Sequence, residues 1–212
     1  MRSPRRALSG DAAEVPVEGP WIPGLRIGEV HVSSIGAQAL RTVRIADGNR
    51  DIYARVAPGG PFLPIAADRV AQERAPRFSP DGRLLAFVSD ISRREEIYMQ
   101  GFPAGARIQL SESGGREPVW SPDGRALYYR DLDGYMVEVT IESGSSPRVM
   151  RRTRLFDASA YASNQFVILY DVARDGRFLM LKRDAQTPRN DIVIIRNWLP
   201  RIMAQLDSSV AR

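Results

Sequence analysis

The chain has 212 residues and a formal net charge of +5, from 30 lysine and arginine residues against 25 aspartate and glutamate residues. Almost all of the bases are arginine and they are interleaved with the acids. We therefore expect no nucleic-acid partner, because such binding needs clustered bases. Cysteine is absent, which excludes disulfides and thiolate metal sites. No apolar run approaches the roughly 18 to 20 residues of a membrane-spanning helix, so we expect no membrane span.

Residues 1–25 are predicted to form a flexible leader, because four prolines and three glycines interrupt them and no apolar period is sustained. The first residues are basic, but no apolar segment follows, so they lack the pattern of a secretory signal. As written, the chain predicts a cytoplasmic protein. If it is a fragment of a longer protein, a periplasmic or other extracytoplasmic location is the alternative.

From Arg26 onward, short segments of alternating apolar and polar residues are separated by turns, which predicts β-strands. The 17 glycines and 15 prolines of the chain favour many short strands over long helices. Residues 26–66 are predicted to form a first group of strands. Residues 84–88 are apolar throughout, which predicts a strand that is covered on both faces.

One short phrase repeats, as Phe-Ser-Pro-Asp-Gly at residues 78–82 and as Trp-Ser-Pro-Asp-Gly at residues 120–124. Each copy predicts a strand, a tight turn and a second strand, because proline presets φ and glycine adopts the left-handed conformation. A third copy keeps only the Asp-Gly pair. We expect the aromatic residues Phe78 and Trp120 to be buried between neighbouring sheets. The predicted structural turn residues are Pro80, Asp81, Gly82, Pro122, Asp123, Gly124, Asp175 and Gly176.

The spacing of the copies predicts the architecture. Asp81 and Asp123 are 42 positions apart, whereas Asp123 and Asp175 are 52 apart, which indicates an insertion of about ten residues near 158–165. Four short strands every 40 to 45 residues are typical of β-propeller blades. We predict an all-β protein with three to four blades of four antiparallel strands. The approximate blades are residues 26–66, 73–110, 116–152 and 166–198, followed by a short tail at 199–212 that is expected to be helical.

These residues resemble the TolB-type, WD-like β-propeller repeats of bacteria, in which an Ile/Leu-Tyr-Val strand follows the turn. Residues 97–99 (Ile-Tyr-Met) and 135–137 (Tyr-Met-Val) match that strand. The segment 171–198 is similar to the end of propellers that follow bacterial Ser/Thr kinase domains. The resemblance implies a β-propeller, and its relatives serve as protein-interaction platforms, sensor domains and gating domains of peptidases.

Relatives of this kind typically close with six or more blades, whereas this sequence has three clear blades and one weaker one. Either the chain forms a compact four-blade ring, or it is the C-terminal part of a larger propeller. We favour an incomplete, open propeller, because the final unit lacks an outer strand after Trp198. Such a propeller exposes apolar surface at its ends. It is therefore expected to self-associate, or to bind a protein partner or the remainder of a larger propeller.

Candidate catalytic residues are few. His31 is the only histidine and no Gly-x-Ser-x-Gly motif is present, so we expect a surface or edge-strand histidine and no catalytic triad. Asp131, Asp133 and Gly134 resemble the start of a Ca²⁺ loop, but no glutamate closes it, which favours a hairpin turn. We expect no enzymatic activity, no cofactor and no metal site.

Two groups of charged residues have two interpretations each. Glu95, Glu96 and Asp90 are candidates for paired carboxylates, but their position at a turn predicts solvation. A basic cluster precedes the insertion, and it either docks an acidic partner or protects a strand edge from aggregation. The cluster consists of Arg148, Arg151, Arg152 and Arg154.

Two functional hypotheses follow. The first is a non-catalytic TolB-like β-propeller module for protein–protein interaction or ligand sensing. The alternative is an accessory or regulatory propeller segment of a larger enzyme, a Ser/Thr kinase or a serine peptidase, whose catalytic domain is absent from this chain. A reading frame that continues upstream into a kinase domain or a signal sequence distinguishes them.

Overall fold

The computed structural model describes residues 23–182, except residues 58, 143, 145 and 146. The described residues form β-strands, turns and irregular segments without helix, and none of their segments is a helix able to span a membrane. The strands are β1 (Leu25–Val32), β2 (Gln38–Arg44), β3 (Arg50–Arg55), β4 (Leu63–Ala66), β5 (Glu73–Phe78), β6 (Leu84–Ser89), β7 (Glu96–Gly101), β8 (Arg107–Gln109), β9 (Arg116–Trp120), β10 (Ala126–Arg130), β11 (Tyr135–Glu142), β12 (Arg148–Asp157), β13 (Tyr170–Val172) and β14 (Phe178–Met180).

The strands form separate antiparallel sheets in chain order. The sheets β1-β2-β3-β4, β5-β6-β7-β8 and β9-β10-β11-β12 each have four strands, and we call them blades 1, 2 and 3. The pair β13-β14 is the described part of the fourth unit. The predicted all-β architecture of four-stranded blades is therefore confirmed. Residues 183–198 of the predicted fourth blade, the tail at 199–212 and most of the leader lie outside the described residues.

The structure differs from the predicted strand positions around the insertion. The outer strand β12 continues to Asp157, beyond the expected end at residue 152. The final unit was expected to begin with a strand at residue 166, but β13 contains only Tyr170–Val172. Residues 158–169 instead connect β12 to β13. Side chains of blade 3 bind the backbone of this connection, as described below, so it does not extend the sheet.

Each blade is packed against the next through apolar sheet faces. Ile52 of blade 1 lies in one cluster with Phe78 and Phe87 of blade 2. Met99 of blade 2 lies in a second cluster with Trp120 and residues of blade 3. All six residues of β6 are buried, because this strand contributes to both clusters. The prediction of a strand covered on both faces is confirmed.

The alternating strand directions give the protein two faces. The hairpin turns that follow the inner strands β1, β5, β9 and β13 lie on one side, which we call the turn face. Its turns are residues 33–37, 79–83, 121–125 and 173–177. The opposite side, which we call the connector face, carries the links from blade to blade and the loops between second and third strands. These are residues 45–49, 67–72, 90–95, 110–115, 131–134 and 158–169.

Candidate functional site

The C-terminal ends of the four inner strands surround one open pocket on the turn face, which we call the axial pocket. Neighbouring inner strands are in contact, β1 with β5, β5 with β9 and β9 with β13. The volume of the pocket is about 570 Å³. Its wall includes His31, Val32, Phe78, Pro80, Val119, Trp120, Pro122, Ile168, Asp171 and Val172.

The two aromatic residues of the repeated phrase fix the blades beside this pocket. Nε1 of Trp120 donates a hydrogen bond to the carbonyl oxygen of Arg77 in blade 2, at 3.0 Å. Phe78 packs in one cluster with Ile52 of blade 1, and its ring makes an edge-to-face contact with Phe102 of its own blade, with 4.9 Å between the ring centroids. Trp120 and Phe78 are 7% and 4% exposed. The prediction that both are buried is confirmed.

His31 lies on β1, the edge strand of blade 1, with its ring tilted against Phe78. The backbone N–H of Phe78 donates to Nδ1 of His31 at 3.2 Å, so the ring proton of the neutral tautomer is on Nε2. Burial, with the positive charge of Arg77, lowers the pKa of His31 to about 4. His31 is therefore a neutral hydrogen-bond donor at physiological pH.

The serine hydroxyls that border the axial pocket are used inside the protein. Ser79 and Ser121 donate to the aspartates of their own turns, at 2.6 and 2.7 Å. Ser34 donates to a backbone carbonyl of the turn in blade 2. Within residues 23–182 as far as they are described, none of these hydroxyls is hydrogen-bonded to His31. The pocket therefore does not assemble the Ser–His pair on which a nucleophilic mechanism depends.

The two charged side chains in the pocket wall differ in their partners, because Arg77 has a carboxylate partner and Asp171 has no cationic partner among the described residues. The guanidinium of Arg77 donates to Oε1 of Glu29 at 2.7 Å, and Glu29 also pairs with Arg41 at 3.7 Å. Asp171 is exposed and its carboxylate accepts the N–H of Val172 at 2.8 Å. In the part of the chain that the structure describes, Asp171 has no cationic partner. The pocket thus combines apolar walls with one carboxylate that no neighbouring base neutralises.

The predicted turn residues form the hairpin turns that follow the inner strands, and two of them reach the axial pocket. Gly82 and Gly124 both have φ of +72°, and Gly176 has φ of +83°. Oδ1 of Asp123 accepts the Ser121 hydroxyl and the N–H of the residue that follows the glycine, and these hydrogen bonds lower the pKa of Asp123. The same two bonds recur at Asp81, and Asp175 keeps the one to the backbone. Pro80 and Pro122 line the pocket itself.

Sequence reasoning missed a buried ion pair in blade 3. Nε of Arg130 lies 3.0 Å from Oε2 of Glu117, and the two side chains are 6% and 2% exposed. Arg130 also donates to backbone carbonyls at residues 158, 161 and 162. Glu117 accepts the hydroxyl of Ser163 and the N–H of Asn164. This pair therefore anchors the connection to the fourth unit.

The prediction that Glu95 and Glu96 are solvated is wrong. Glu96 is fully buried, and its carboxylate accepts the hydroxyl of Ser111. Glu95 is half-buried and pairs with Arg74 of blade 2 and Arg116 of blade 3. Glu95 thus lies between blades 2 and 3, whereas Glu96 binds the link from β8 to β9, and arginines and a hydroxyl replace water around these carboxylates. They act in the assembly of blades 2 and 3.

The basic cluster on β12 does not form a free positive surface. Three of its four arginines have carboxylate partners, and two bulges interrupt the pairing of β12 with β11. Charges and bulges on an edge strand both discourage the addition of another strand. These contacts favour the strand-edge interpretation. The pairs are Arg148 with Glu142, Arg152 with Glu112, and Arg154 with Asp131 and Asp133.

The loop that resembled the start of a Ca²⁺ site is a hairpin turn between β10 and β11. The N–H of Tyr135 donates to Oδ1 of Asp131 at 2.9 Å, and Gly134 has φ of +92°. Oδ2 of Asp131 and Oδ2 of Asp133 are both paired with the guanidinium of Arg154. Among the described residues, no group of three or more histidine or acidic side chains is arranged to hold a metal ion.

Comparison with known proteins places this geometry among β-propellers. No family model matches the sequence. Over 77 residues, the chain is 36% identical to a Bacillus subtilis (strain 168) protein named "Uncharacterized peptidase YuxL". This match covers 34% of the chain and 10% of that protein.

Two solved structures match most of the chain. The putative TolB from Agrobacterium tumefaciens matches with a TM-score of 0.52 and 22% identity, over 74% of this chain and 55% of that one. A structure from a study of two prolyl endopeptidases matches with a TM-score of 0.51 and 16% identity, over 75% of this chain and 26% of that one. The chain thus spans about half the length of the solved TolB and a tenth of the curated relative. Blades, inner strands and repeated turns together give the chain a TolB-like β-propeller fold.

Proposed function

We propose that this β-propeller is a non-catalytic binding module, and that its axial pocket takes a peptide segment of another protein. The observation that carries the proposal is the convergence of four inner strands on one open pocket. Pockets that bind ligands are typically concave, largely apolar and equipped with a few polar groups that fix orientation. Val119, Ile168 and Val172 supply the apolar wall, and Asp171 supplies an unneutralised charge.

The polar groups at the pocket suit recognition better than chemistry. Nδ1 of His31 is occupied by a backbone N–H, so the imidazole cannot accept a proton there from a nucleophile. Its Nε2–H remains a donor that suits a peptide carbonyl. A screen with esterase and peptidase substrates is expected to detect no activity that the variant His31→Ala abolishes. An activity lost in that variant contradicts a non-catalytic role.

The ligand that fits best is an extended apolar peptide that carries one cationic side chain. The carboxylate of Asp171 attracts a lysine or arginine, and the apolar walls bury the neighbouring side chains. The carboxylate of Glu29, 2.7 Å from the guanidinium of Arg77, reduces the repulsion between Arg77 and this cation.

The test uses short labelled peptides that share one apolar sequence and differ at a single position, which is lysine, alanine or glutamate. Fluorescence anisotropy is expected to give the highest affinity for the lysine peptide. The variant Asp171→Asn is expected to weaken that binding about tenfold, which corresponds to about 1.4 kcal/mol. Asp175→Asn is the matched control, because Asp175 lies in the same unit and already pairs with Arg177. Equal affinity of the wild type and Asp171→Asn for the lysine peptide contradicts the proposal.

A second candidate function is supported by the comparison with curated proteins. The 36% identity over 77 residues is to a protein whose name describes a peptidase, and a prolyl endopeptidase structure shares the fold. On this basis the chain is an accessory propeller segment of a larger serine peptidase. A surrounding reading frame that encodes a hydrolase domain supports this candidate, and one that encodes a Ser/Thr kinase domain supports the predicted kinase association instead. None of the comparisons described above favours the kinase.

A further inference from the structure

The connector loops expose more large apolar side chains than the repeated turns of blades 2 and 3, although Ile35 in the turn of blade 1 is also 60% exposed. On the turn face of blades 2 and 3, the repeated turns present Asp-Gly-Arg, and none of the described residues in their loops is a large exposed apolar side chain. On the connector face, loops from all four units expose large apolar side chains. These are Ile45, Val70, Ile91, Leu132, Phe166 and Val167, with exposed fractions between 43% and 85%.

Four of these side chains belong to loops that are linked around Arg50. Its guanidinium carbon lies 5.7 Å from the ring centroid of Phe166, a cation–π contact between blade 1 and the link to the fourth unit. Arg50 also donates to Oε1 of Gln72 at 3.1 Å, two residues after Val70. The N–H of Gln72 donates to the carboxylate of the residue before Ile91, at 2.7 Å. We call Val70, Ile91, Phe166 and Val167 the connector patch.

The backbone beneath the connector patch is held in place by buried polar contacts. Residues 158–164 are bound by the ion pair of Glu117 and Arg130. The loop that carries Val70 is fixed by Asn49, whose side-chain amide donates to the carbonyl of Asp68 at 2.7 Å. Exposed apolar side chains on a fixed backbone lose little conformational freedom when they bind. An aromatic residue in the middle of such a surface has the properties of a binding hot spot.

The charges around the patch indicate the chemistry of the partner. Arg50, Arg69 and Arg93 border it, and in the described part of the chain none of them has a carboxylate partner. The nearby carboxylates of Asp68 and Asp90 are half-buried and accept backbone N–H groups. Against these two carboxylates the three arginines leave an excess of positive charge. The surface is therefore apolar at its centre and carries net positive charge at its rim, which complements a partner that presents carboxylates beside apolar side chains.

We propose that the connector patch is a docking surface for a protein segment that combines large apolar side chains with carboxylates. The axial pocket has an unneutralised carboxylate instead, and none of the four residues of the connector patch lines it, although Val167 directly precedes Ile168 of its wall. The two sites therefore select segments of opposite charge.

The test measures the binding of a short fluorescein-labelled peptide that alternates glutamate with leucine, with the full chain in solution. Anisotropy is expected to show binding that weakens as the salt concentration rises. Any binding of the matching lysine–leucine peptide belongs to the axial pocket and is expected to be unchanged in the patch variants. Phe166→Ser and Arg50→Gln are each expected to weaken binding of the acidic peptide at least about tenfold. Leu179→Ser is the matched control, because Leu179 is an apolar side chain that is 74% exposed outside the patch. Its affinity is expected to equal that of the wild type.

Three outcomes overturn the proposal. The first is the absence of acidic-peptide binding to the wild type, and the second is equal binding to Phe166→Ser. The third is a self-association in sedimentation experiments that Phe166→Ser abolishes, because the occupant is then a second copy of this chain. Circular dichroism verifies that each variant is folded. If Phe166→Ser does not fold, Val70→Ser takes its place, because Val70 is 85% exposed.

Discussion

Blades 2 and 3 carry the same repeated phrase, yet they bury different groups behind it. Ala75 and Val88 of blade 2 correspond to Glu117 and Arg130 of blade 3, each 42 positions later in the chain. Ala75 and Glu117 both precede a proline and have φ of +51° and +57°. The backbone conformation is thus shared, while an apolar pair in one blade is replaced by a buried ion pair in the other.

This difference accompanies the change in spacing along the chain. The turn aspartates of blades 2 and 3, Asp81 and Asp123, are 42 positions apart. The turn aspartate of the fourth unit, Asp175, comes 52 positions after Asp123. The extra residues lie at 158–169, where Arg130 and Glu117 bind them. The ion pair therefore supplies hydrogen-bond partners to backbone groups that have no sheet to join. The repeat tolerates this insertion because Glu117 and Arg130 form hydrogen bonds with the backbone groups of the inserted residues.

The largest losses of stability are expected at Phe78 and Trp120, which occupy equivalent positions in blades 2 and 3. Trp120→Ala and Phe78→Ala are each expected to lower the free energy of unfolding by roughly 3 to 5 kcal/mol, as for large aromatic residues in a core. The loss is expected to be greater for Trp120, because its indole N–H also binds the carbonyl of Arg77. Urea denaturation measures both. A loss below about 1 kcal/mol in either variant contradicts equivalent burial.

The next prediction compares the stability cost of substitutions at equivalent positions in blades 2 and 3. Arg130→Ala is expected to cost about 3 kcal/mol, because it leaves the carboxylate of Glu117 buried without a cation. Val88→Ala at the equivalent position of blade 2 removes only apolar contacts and is expected to cost about 2 kcal/mol. Hydrogen exchange at residues 158–164 is expected to accelerate in the first variant alone.

A double variant sharpens this comparison. Glu117→Ala with Arg130→Val gives blade 3 the pair that blade 2 has, so it leaves no unpaired buried charge. It is expected to regain part of the stability that Arg130→Ala loses, while exchange at residues 158–164 remains fast. If exchange in this segment stays slow, the ion pair does not anchor it.

The sequence predicted the features that depend on local chemistry. The turns, the apolar strand at residues 84–88 and the burial of Phe78 follow from short segments and their repetition. The Glu117–Arg130 pair did not follow, because its partners meet only through the pairing of β9 with β10. The convergence of Asp171 with residues of blade 1 at the axial pocket also depends on how separate blades are arranged.

The turn glycines are expected to give a graded series of smaller effects. Alanine at φ near +72° costs roughly 1 to 2 kcal/mol through left-handed strain alone. A Cβ at Gly176 meets no atom within 4 Å, one at Gly124 lies 3.3 Å from Pro80, and one at Gly82 lies 2.7 Å from Ile35. The loss of stability is therefore expected to be largest for Gly82→Ala and smallest for Gly176→Ala. Thermal denaturation that gives the reverse order contradicts the explanation.

The smallest expected effect concerns pH and the buried carboxylate of blade 2. Glu73 is fully buried, Ser89 donates to its Oε1 at 3.0 Å, and its Oε2 has no partner among the described residues. Burial raises the pKa of Glu73 from 4.5 to about 7. Blade 3 has Gly115 at the equivalent position, so it has no such group.

The folded protein therefore keeps a proton on Glu73 between pH 4.5 and 7 that the unfolded chain releases, and stability falls as the pH rises through this window. His31 acts in the opposite sense, because its pKa is lowered from 6.5 to about 4 and its contribution to stability is lost as the pH falls. The variant Glu73→Gln is expected to gain stability relative to the wild type by about 1 kcal/mol between pH 5 and pH 6. Glu112→Gln is the matched control, because that side chain is 71% exposed. If the difference between Glu73→Gln and the wild type is constant from pH 4.5 to 7, the pKa of Glu73 is the same in the folded and the unfolded protein, and burial does not raise it.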